Sequence, residues 1–132
     1  MNLVADSSFL FSLMEGNSEA TETWGRVKTE GNRVFIPTIS ITFFVKRSLQ
    51  EGKNEYVELM LAVLRQTLNV NLVVCDIGVA VDSGSILNTV DTGVEEAFVL
   101  AVAGLKNAKG VMTINKDKYS SAIEMGLINT LI

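Results

Sequence analysis

The side chains that could do chemistry in this chain are oxygen donors, because the sequence has no histidine and a single cysteine. The absence of histidine excludes Ser-His-Asp and Cys-His catalysis and any zinc site that depends on imidazole. Cys75 has no partner for an internal disulfide, which favours a reducing, intracellular environment. Catalysis would therefore use carboxylates, hydroxyls and amides, together with a hard cation such as Mg²⁺ or Mn²⁺.

These polar residues recur where short apolar segments end. They are Asp6, Ser7 and Ser8 after residues 2–5, Thr38, Ser40 and Thr42 after residues 33–37, and Thr113, Asn115 and Asp117 near the end of residues 110–114. Between the last two segments, the stretch DTGVEE adds three acids, Asp91, Glu95 and Glu96. Whether these polar residues come together depends on the strands and helices that carry them.

Hydrophobic patterning predicts an alternation of strands and helices. Apolar segments predict strands at 2–5, 33–37, 70–76, 110–114 and 127–132, and helices are predicted at 8–15, 18–30, 40–50, 54–68, 77–88, 91–107 and 116–126. Strands that read as continuous apolar runs and alternate with helices are typical of a parallel sheet covered on both faces. We therefore predict a single domain, residues 1–132, with a three-layer α/β/α architecture and a mostly parallel central sheet.

Open parallel sheets bind ligands at the carboxyl ends of their strands, where the polar residues above would converge. Carboxylates packed together repel one another unless a cation neutralises them, and oxygen ligands favour Mg²⁺ or Mn²⁺. Such a cation can polarise a phosphodiester and activate water. The pattern therefore predicts a metal-dependent site acting on phosphate esters.

Each candidate also has a purely structural interpretation. Asp6 could cap the first helix, for which Ser7 and Ser8 are the other predicted caps. Thr92 and Glu95 have the spacing of a capping box, the role that we prefer for Glu95. Glu96, followed by apolar residues, is the functional choice, against the alternative of a solvated acid at a helix start.

The remaining polar candidates fit turns. Asp91 is interpreted as a turn residue, while Asn115 and Asp117 could form a turn or cap before the last helix. Other sites that open with an acid or a turn after the first strand do not match. Ser8 replaces the second Asp of a dehalogenase-type phosphatase, Leu10 interrupts an Asp-x-Ser-x-Ser metal site, and no glycine-rich phosphate or dinucleotide loop is present.

Three segments together resemble a PIN domain, the ribonuclease fold of VapC-type toxins, over nearly the whole chain. LVADSSFLFSLMEG is similar to the family's opening, with Asp6 at the first metal-binding acid and Ser8 at the small polar residue beside it. EAFVLAVA is similar to the family's DALIAATA segment, which sets Glu96 on the third acid. GVMTINKDKY resembles its strand end, with Thr113, Asn115 and Tyr119 at the hydroxyl, metal-site and aromatic positions.

The resemblance also has two departures. FIPTISITFFVKRSL matches the family's second acidic segment, but Phe43 occupies the position where Glu is expected. Asn115 stands in place of the commoner Asp. Asp91, Glu95 and Asp117 are the acids that could substitute.

The resemblance implies an RNA-cleaving enzyme dependent on Mg²⁺ or Mn²⁺, the toxin of a toxin–antitoxin pair. In that hypothesis Asp6 and Glu96 hold the metal, Asn115 acts with them, and Ser8, Thr113 and Asp117 support them. Lys46, Arg47, Lys116 and Lys118 are the candidate RNA contacts. A homodimer and a small antitoxin partner are also implied, and the helix at 54–68 could serve the dimer interface or the domain's own core.

Two alternatives stay open. Phe43 favours a degenerate PIN-like module that binds RNA or protein without cutting, and a phosphoacceptor domain built on Asp6 is a third, weaker hypothesis. The net charge of −4 argues against nonspecific nucleic-acid binding by charge alone. No apolar segment approaches the roughly 20 residues of a membrane span, and no signal peptide is evident, so we expect a cytoplasmic protein without a membrane partner.

Overall fold

The computed structural model of the protein describes residues 1–132. The strands are β1 Asn2–Ala5, β2 Arg33–Pro37, β3 Val70–Val73, β4 Gly110–Met112 and β5 Thr130–Leu131. The helices are α1 Ser7–Met14, α2 Ser18–Thr29, α3 Thr38–Gln50, α4 Glu55–Gln66, α5 Ile77–Thr89, α6 Val94–Leu105 and α7 Ser120–Glu124, and a 3₁₀ helix, Lys116–Tyr119, leads directly into α7. None of the helices has the length and apolar content that a membrane crossing requires.

The five strands form one sheet in the order β3-β2-β1-β4-β5, and every pair is parallel. The chain builds outward from β1 through β2 to β3, then crosses back to place β4 on the other side of β1. This reversal between β1 and β4 creates a crevice at the carboxyl ends of the two strands. The predicted three-layer α/β/α class is confirmed, with a sheet that is parallel throughout.

Strand β1 is buried on both faces and separates two cores. Leu3 and Ala5 point into a core that packs the sheet against α1 to α4. Val4 points into a second core, which packs the sheet against α5, α6 and α7. This alternation is the two-residue period of a strand, and a central strand that obeys it on both faces is rigid. The residue that follows β1, Asp6, is therefore held in a fixed place.

Side chains cap three of the helix starts. Of the predicted caps of α1, Asp6 rather than Ser7 or Ser8 is the N-cap, with Oδ1 accepting from the Phe9 amide at 3.1 Å. Asn17 caps α2, which begins at Ser18 as predicted. Asp76 caps α5, so the prediction that it belongs to the third strand is wrong.

The outer strands are shorter and more exposed than predicted. β3 covers four residues and β5 only two, although longer apolar segments predicted both. Asn71 and Leu72 of β3 are exposed, so the prediction of a strand covered on both faces is wrong for this edge strand. The apolar pattern of the sequence does not distinguish an edge strand from a central one.

Gly110→Ala is expected to lower the free energy of unfolding by about 1–3 kcal/mol, because overpacking a well-packed core forces side chains to shift. A Cβ at Gly110 would lie 2.5 Å from Leu3 Cδ2, between β4 and β1. Urea unfolding followed by circular dichroism measures the change. The control is Gly84→Ala in the exposed middle of α5, where a Cβ meets nothing within 4 Å. That variant should gain about 0.5–1 kcal/mol, and equal stabilities of the two variants would contradict the packing.

Candidate active site

Asp6 lies at the carboxyl end of β1 with its carboxylate fully buried and fully hydrogen-bonded. Oδ1 accepts from Ser8 Oγ at 2.6 Å and from the Phe9 amide at 3.1 Å. Oδ2 accepts from Thr113 Oγ1 at 2.6 Å and from the Tyr119 hydroxyl at 2.8 Å. A carboxylate offers about four acceptor positions, so the four donors occupy all of them.

The donors come from three different parts of the chain and tie them together. Ser8 Oγ also accepts from the Ile114 amide at 2.9 Å, and Thr113 Oγ1 accepts from the Asn115 amide at 3.0 Å. Ser8 and Thr113 therefore hold the Asp6 carboxylate in position, and the supporting role that the family resemblance implies for them in catalysis stays a prediction. The Tyr119 hydroxyl is a contact that the sequence did not predict, since only the aromatic ring was expected there.

The hydroxyl of Tyr119 is buried against the Asp6 carboxylate. Burial raises the pKa of the Tyr119 hydroxyl far above its usual range, and the adjacent Asp6 charge and hydrogen bond raise it further. The phenol therefore stays protonated and donates its hydrogen to Asp6.

Glu95 bridges α6 to the start of α1. Its Oε2 accepts from the Ser7 amide at 2.8 Å, and its Oε1 accepts from Ser7 Oγ at 2.6 Å. The predicted capping box with Thr92 is wrong. Gly93 is the N-cap of α6 without a side-chain cap, and Thr92 Oγ1 donates to the Lys118 carbonyl. Glu95 thus satisfies the N-terminus of a neighbouring helix, a long-range pairing that local spacing cannot reveal.

Burial raises the pKa of Glu95 above its ordinary value of 4.5, the two bonds from Ser7 oppose that shift, and the charge on Asp6 adds to it. The pKa of Glu96 is raised as well. Burial raises its pKa, Lys118 lowers it, and Asp6 again raises it. Both carboxylates are therefore costly to ionise in this environment.

Glu96 folds back toward the start of its own helix. A Cβ on Gly93 would collide with Glu96 Oε1, so a residue with a side chain would displace the carboxylate. Lys118 Nζ lies 4.0 Å from the same oxygen, with the Lys118 side chain 56% exposed and that of Glu96 5% exposed. Lys118 is the one basic side chain within 4.0 Å of the three acids, and its exposed position leaves their charge poorly compensated.

Ser40, in the first turn of α3, completes the surroundings of Glu95. Its side chain is fully buried, and Oγ is the one buried side-chain polar atom without a hydrogen-bond partner. As a weak hydrogen-bond donor, the Ser40 hydroxyl lowers the pKa of Glu95, so Glu95 is its distant partner even though the two do not form a bond of regular geometry. Phe43, one turn further along α3, is half-buried and offers no ligand atom.

The donor set suits a hard divalent cation in chemistry and in charge, since it consists of carboxylates and a hydroxyl in a buried region short of positive charge. It is not assembled as a ready coordination sphere. No three His, Cys, Asp or Glu side chains converge closely enough to hold a metal ion. Asp6 would have to release one of its four donors to bind one.

The other predicted residues lie around this cluster or away from it. Asn115 and Asp117 are exposed next to Thr113, and neither side chain bonds to Asp6. Asp91 is exposed before α6. They flank the cluster without entering the hydrogen-bond network around Asp6.

The four predicted RNA contacts divide into two pairs. Lys116 and Lys118 border a groove of about 320 Å³ along residues 114–118, beside the acids. Lys46 and Arg47 lie in the second half of α3, about 9 Å or more along the helix axis from Ser40. Arg47 is already engaged, with Nε 2.7 Å from Glu51 and its guanidinium 3.9 Å from the centre of the Phe11 ring.

The sequence matches no protein-family model and no curated protein. Solved structures are similar, however. The VapC20 toxin of Mycobacterium tuberculosis, which cleaves the sarcin–ricin loop, superposes with a TM-score of 0.72 at 13% identity, covering 89% of this chain and 93% of that one. A VapBC2 structure from Rickettsia felis, bound to a DNA fragment from its promoter, has a TM-score of 0.72 at 12% identity and covers 100% of this chain and 98% of its own. VapBC-1 of nontypeable Haemophilus influenzae has a TM-score of 0.67 at 14% identity, with 98% and 96% covered.

Glu95→Gln is expected to stabilise the protein at pH 7 and to leave its stability unchanged below the ordinary carboxyl pKa of 4.5. Because the pKa of Glu95 is raised in the folded state, the protein loses stability as the pH rises from 4.5 through the raised pKa of the folded protein. Below 4.5 both the folded and the unfolded chain carry the proton, so the neutral glutamine brings no advantage. Glutamine keeps an acceptor for the Ser7 amide.

Urea unfolding of both proteins at several pH values between about 4 and 8 measures the effect. Glu22→Gln, which removes the same charge from an exposed position on α2, is the control and should show no such pH dependence. A difference between Glu95→Gln and the unaltered protein that stays constant over the whole range would contradict the raised pKa.

Proposed function

Because this chain has the PIN fold of VapC-type toxins, we propose that it is a PIN-type endoribonuclease that cuts RNA with Mg²⁺ or Mn²⁺. The proposal rests on the acidic residues that meet at the carboxyl ends of the strands. Asp6 at the crevice beside β1 and the paired Glu95 and Glu96 at the start of α6 place three buried carboxylates at one edge, with a single exposed lysine as their counter-charge. Buried charge that the protein does not neutralise points to a cation.

In this reaction the chain's own residues would have separate roles. Asp6 and Glu96 hold the cation, which when bound polarises the phosphodiester and makes a hydroxide nucleophile available near neutral pH. Ser8 and Thr113 keep the Asp6 carboxylate in place through the hydrogen bonds described above. Asn115, exposed next to Thr113, offers an amide for the attacking water or the scissile phosphate, and Asp117 supports this segment.

Substrate binding would use the groove along residues 114–118. Lys116 and Lys118 border it and can contact RNA phosphates as point charges. Because the chain carries a net charge of −4, these few lysines would determine where a strand lies rather than provide strong general affinity. Lys46 is a more distant contact for a longer RNA, and the ion pair of Arg47 with Glu51 makes Arg47 the weakest of the four candidates.

We also propose two protein partners, a small antitoxin and a second copy of this chain. Two of the similar structures are VapBC toxin–antitoxin assemblies, which supports a small antitoxin that covers the site. A homodimer is also proposed, with α4 as a candidate interface. Met60 of this helix is fully buried and Tyr56, Val63 and Leu64 pack against the same core, while Leu59, 51% exposed, leaves apolar surface that a partner could cover.

A second function is favoured by Asp6 and Phe43. All acceptor positions of Asp6 are occupied, and α3 offers a phenyl ring where the resemblance predicts a carboxylate. A domain arranged in this way could bind RNA or an antitoxin without cutting. The two functions differ in whether a divalent cation binds and whether RNA is cleaved.

Asp6→Asn is expected to reduce metal-dependent RNA cleavage by about 100-fold or more, because it removes a charged ligand from the cation. Asparagine retains an acceptor for the Phe9 amide, and the Thr113 and Tyr119 hydroxyls can rotate to accept from its amide, so the fold should persist. Purified protein is incubated with total cellular RNA and Mn²⁺, with and without chelator, and circular dichroism verifies folding.

The matched control for that experiment is Asp91→Asn, which removes the same charge from an exposed position. Cleavage that requires Mn²⁺, survives in the control and is lost in Asp6→Asn would support the nuclease. Retention of RNA in a mobility shift without cleavage by the folded wild-type protein would instead support the binding module.

Tyr119→Phe is expected to raise Mn²⁺ affinity by about 3-fold or more, because it frees one acceptor position on Asp6 while leaving the ring in the core. The lost hydrogen bond should also lower the free energy of unfolding by about 1–2 kcal/mol. Isothermal titration with Mn²⁺ and urea unfolding measure the two effects. An affinity that falls in this variant would mean that the Tyr119 hydroxyl helps the site instead of competing with the cation.

A further inference from the structure

A small cavity lies beside the proposed site, between the start of α2 and the segment that follows β4. Its volume is about 230 Å³. Pockets for drug-sized ligands have roughly 300–1,000 Å³, so this one suits a smaller group, about the size of one nucleobase. Its inner wall includes four buried side chains and its rim carries two exposed charges, namely Phe9, Ala20, Thr23 and Thr113 in the wall and Glu19 and Lys116 at the rim. We call this cavity the α2 pocket.

Two residues connect the α2 pocket to the proposed active site. Thr113 lines the pocket and also donates to Asp6 Oδ2 at 2.6 Å. Lys116 lines both the pocket and the groove along residues 114–118, which would carry the RNA phosphates. A strand that follows this groove toward Asp6 therefore passes the mouth of the pocket, and a base next to the scissile phosphate can turn into it. Proteins commonly recognise single-stranded RNA through bases that are turned out in this way.

The polar groups of the α2 pocket are available to a ligand. Neither Glu19 nor Lys116 takes part in an ion pair within 4.0 Å. Thr23 Oγ1 accepts from Arg26 Nη2 at 3.3 Å, but its own hydrogen goes to no acceptor in the protein, although the residue is only 4% exposed. Because buried polar groups in folded proteins are nearly always paired, a free donor that lines a cavity indicates a place for an acceptor from outside.

This arrangement of polar groups fits guanine better than it fits the other bases. The Watson–Crick edge of guanine presents two adjacent N–H donors, at N1 and N2, which the two oxygens of the Glu19 carboxylate can accept together. Guanine also carries the acceptors O6 and N7, to which the Lys116 ammonium and the Thr23 hydroxyl can donate. Adenine, cytosine and uracil each present a single donor group on that edge, next to an acceptor that a carboxylate would repel.

We propose that the α2 pocket binds a guanine of the RNA next to the bond that is cut, and that Glu19 determines this specificity. The inference rests on the proposed nuclease function and adds to it the base that the site selects. Thr23 and Lys116 assist by donating to the guanine acceptors. Thr113 joins the two parts of the site, because its side chain borders the base and is bonded to Asp6.

Nucleotide binding without metal tests the pocket separately from cleavage. Isotope-labelled, chelator-treated protein is titrated with GMP, AMP, CMP or UMP, and the amide resonances are followed by NMR. GMP should bind about 10-fold more tightly than the other three, because a bidentate contact to a base discriminates by at least this order, and it should shift the resonances of residues 19–23. Equal shifts with all four nucleotides, confined to residues 114–118, would indicate phosphate binding alone and would overturn the proposal.

Glu19→Gln should raise the Kd for GMP by about 10-fold and leave the Kd values of the other nucleotides unchanged, because glutamine offers a single acceptor oxygen. The matched control is Glu22→Gln, which removes the same charge from an exposed position one turn along α2, outside the pocket. This control should bind GMP as the wild type does.

Glu19 also lies in the first turn of α2, where an acid stabilises the helix start. If that were its sole role, Glu19→Gln would lower the urea midpoint and keep the preference for GMP, which would overturn the proposal. Thr23→Val removes the free donor with little change of shape and should raise the Kd for GMP about 3-fold, as expected for the loss of one neutral hydrogen bond.

The ends of cleaved RNA provide a second readout. Sequencing of the products from total cellular RNA should show guanine enriched at one position beside the break. Glu19→Gln should still cut RNA but lose this enrichment, whereas Glu22→Gln should keep it. Selective GMP binding without enrichment at the cut sites would overturn the placement of the guanine next to the scissile bond.

The outcomes separate this inference from the function beneath it. Wild-type protein that cuts RNA without guanine enrichment and binds the four nucleotides equally would overturn the pocket and leave the nuclease standing. Wild-type protein that cuts no RNA but binds GMP selectively, with the selectivity lost in Glu19→Gln, would overturn the nuclease and keep the pocket as part of an RNA-binding site. Protein that does neither would overturn both.

Discussion

The carboxylate of Asp6 is the interaction on which the rest of this edge of the sheet depends. It accepts from a hydroxyl and an amide at the start of α1, from Thr113 after β4, and from Tyr119 at the end of the 3₁₀ helix. A buried charge is tolerated when hydrogen bonds replace its lost hydration. Because the four donors come from three separate segments, the same carboxylate that would serve a cation also holds β1, β4 and the α1 N-terminus in register.

On Asp6, a bound cation would compete with these hydrogen-bond donors for the same oxygen atoms. Glu95 and Glu96 accept fewer hydrogen bonds and do not face this competition to the same degree. Asp6 is well solvated by the protein, whereas burial raises the pKa of Glu95 and Glu96 and leaves them costly to ionise. A cation or a proton relieves this cost, and a cation does so without removing the charge. The two glutamates on α6 therefore carry most of the electrostatic cost of this edge, while Asp6 ties together the segments around them.

The sequence predicted the layers and the parallel sheet because central strands are continuous apolar runs, and it identified the polar residues that directly follow them. It placed Asp6, Ser8, Thr113 and Tyr119 at positions that the fold brings into contact. It assigned Glu95 to a local capping box, since the spacing from Thr92 is correct and nothing local indicates that Ser7 lies opposite. The approach of Ser40 to Glu95 was equally out of reach, because it depends on how α3 and α6 pack together. Gly93, separated from the two glutamates only by Val94, was the one local hint that a carboxylate folds closely over the helix start.

If the protein is a metal-dependent nuclease, the buried carboxylates at this edge hold one divalent cation. A crystal structure of the protein soaked in Mn²⁺, with data collected at the manganese absorption edge, would show this. We expect a single strong anomalous peak within about 2.0–2.6 Å of carboxylate oxygens of Asp6 and Glu96. Density without such a peak, with all four hydrogen bonds to Asp6 intact, would rule out the metal site and leave a domain that binds partners without metal chemistry.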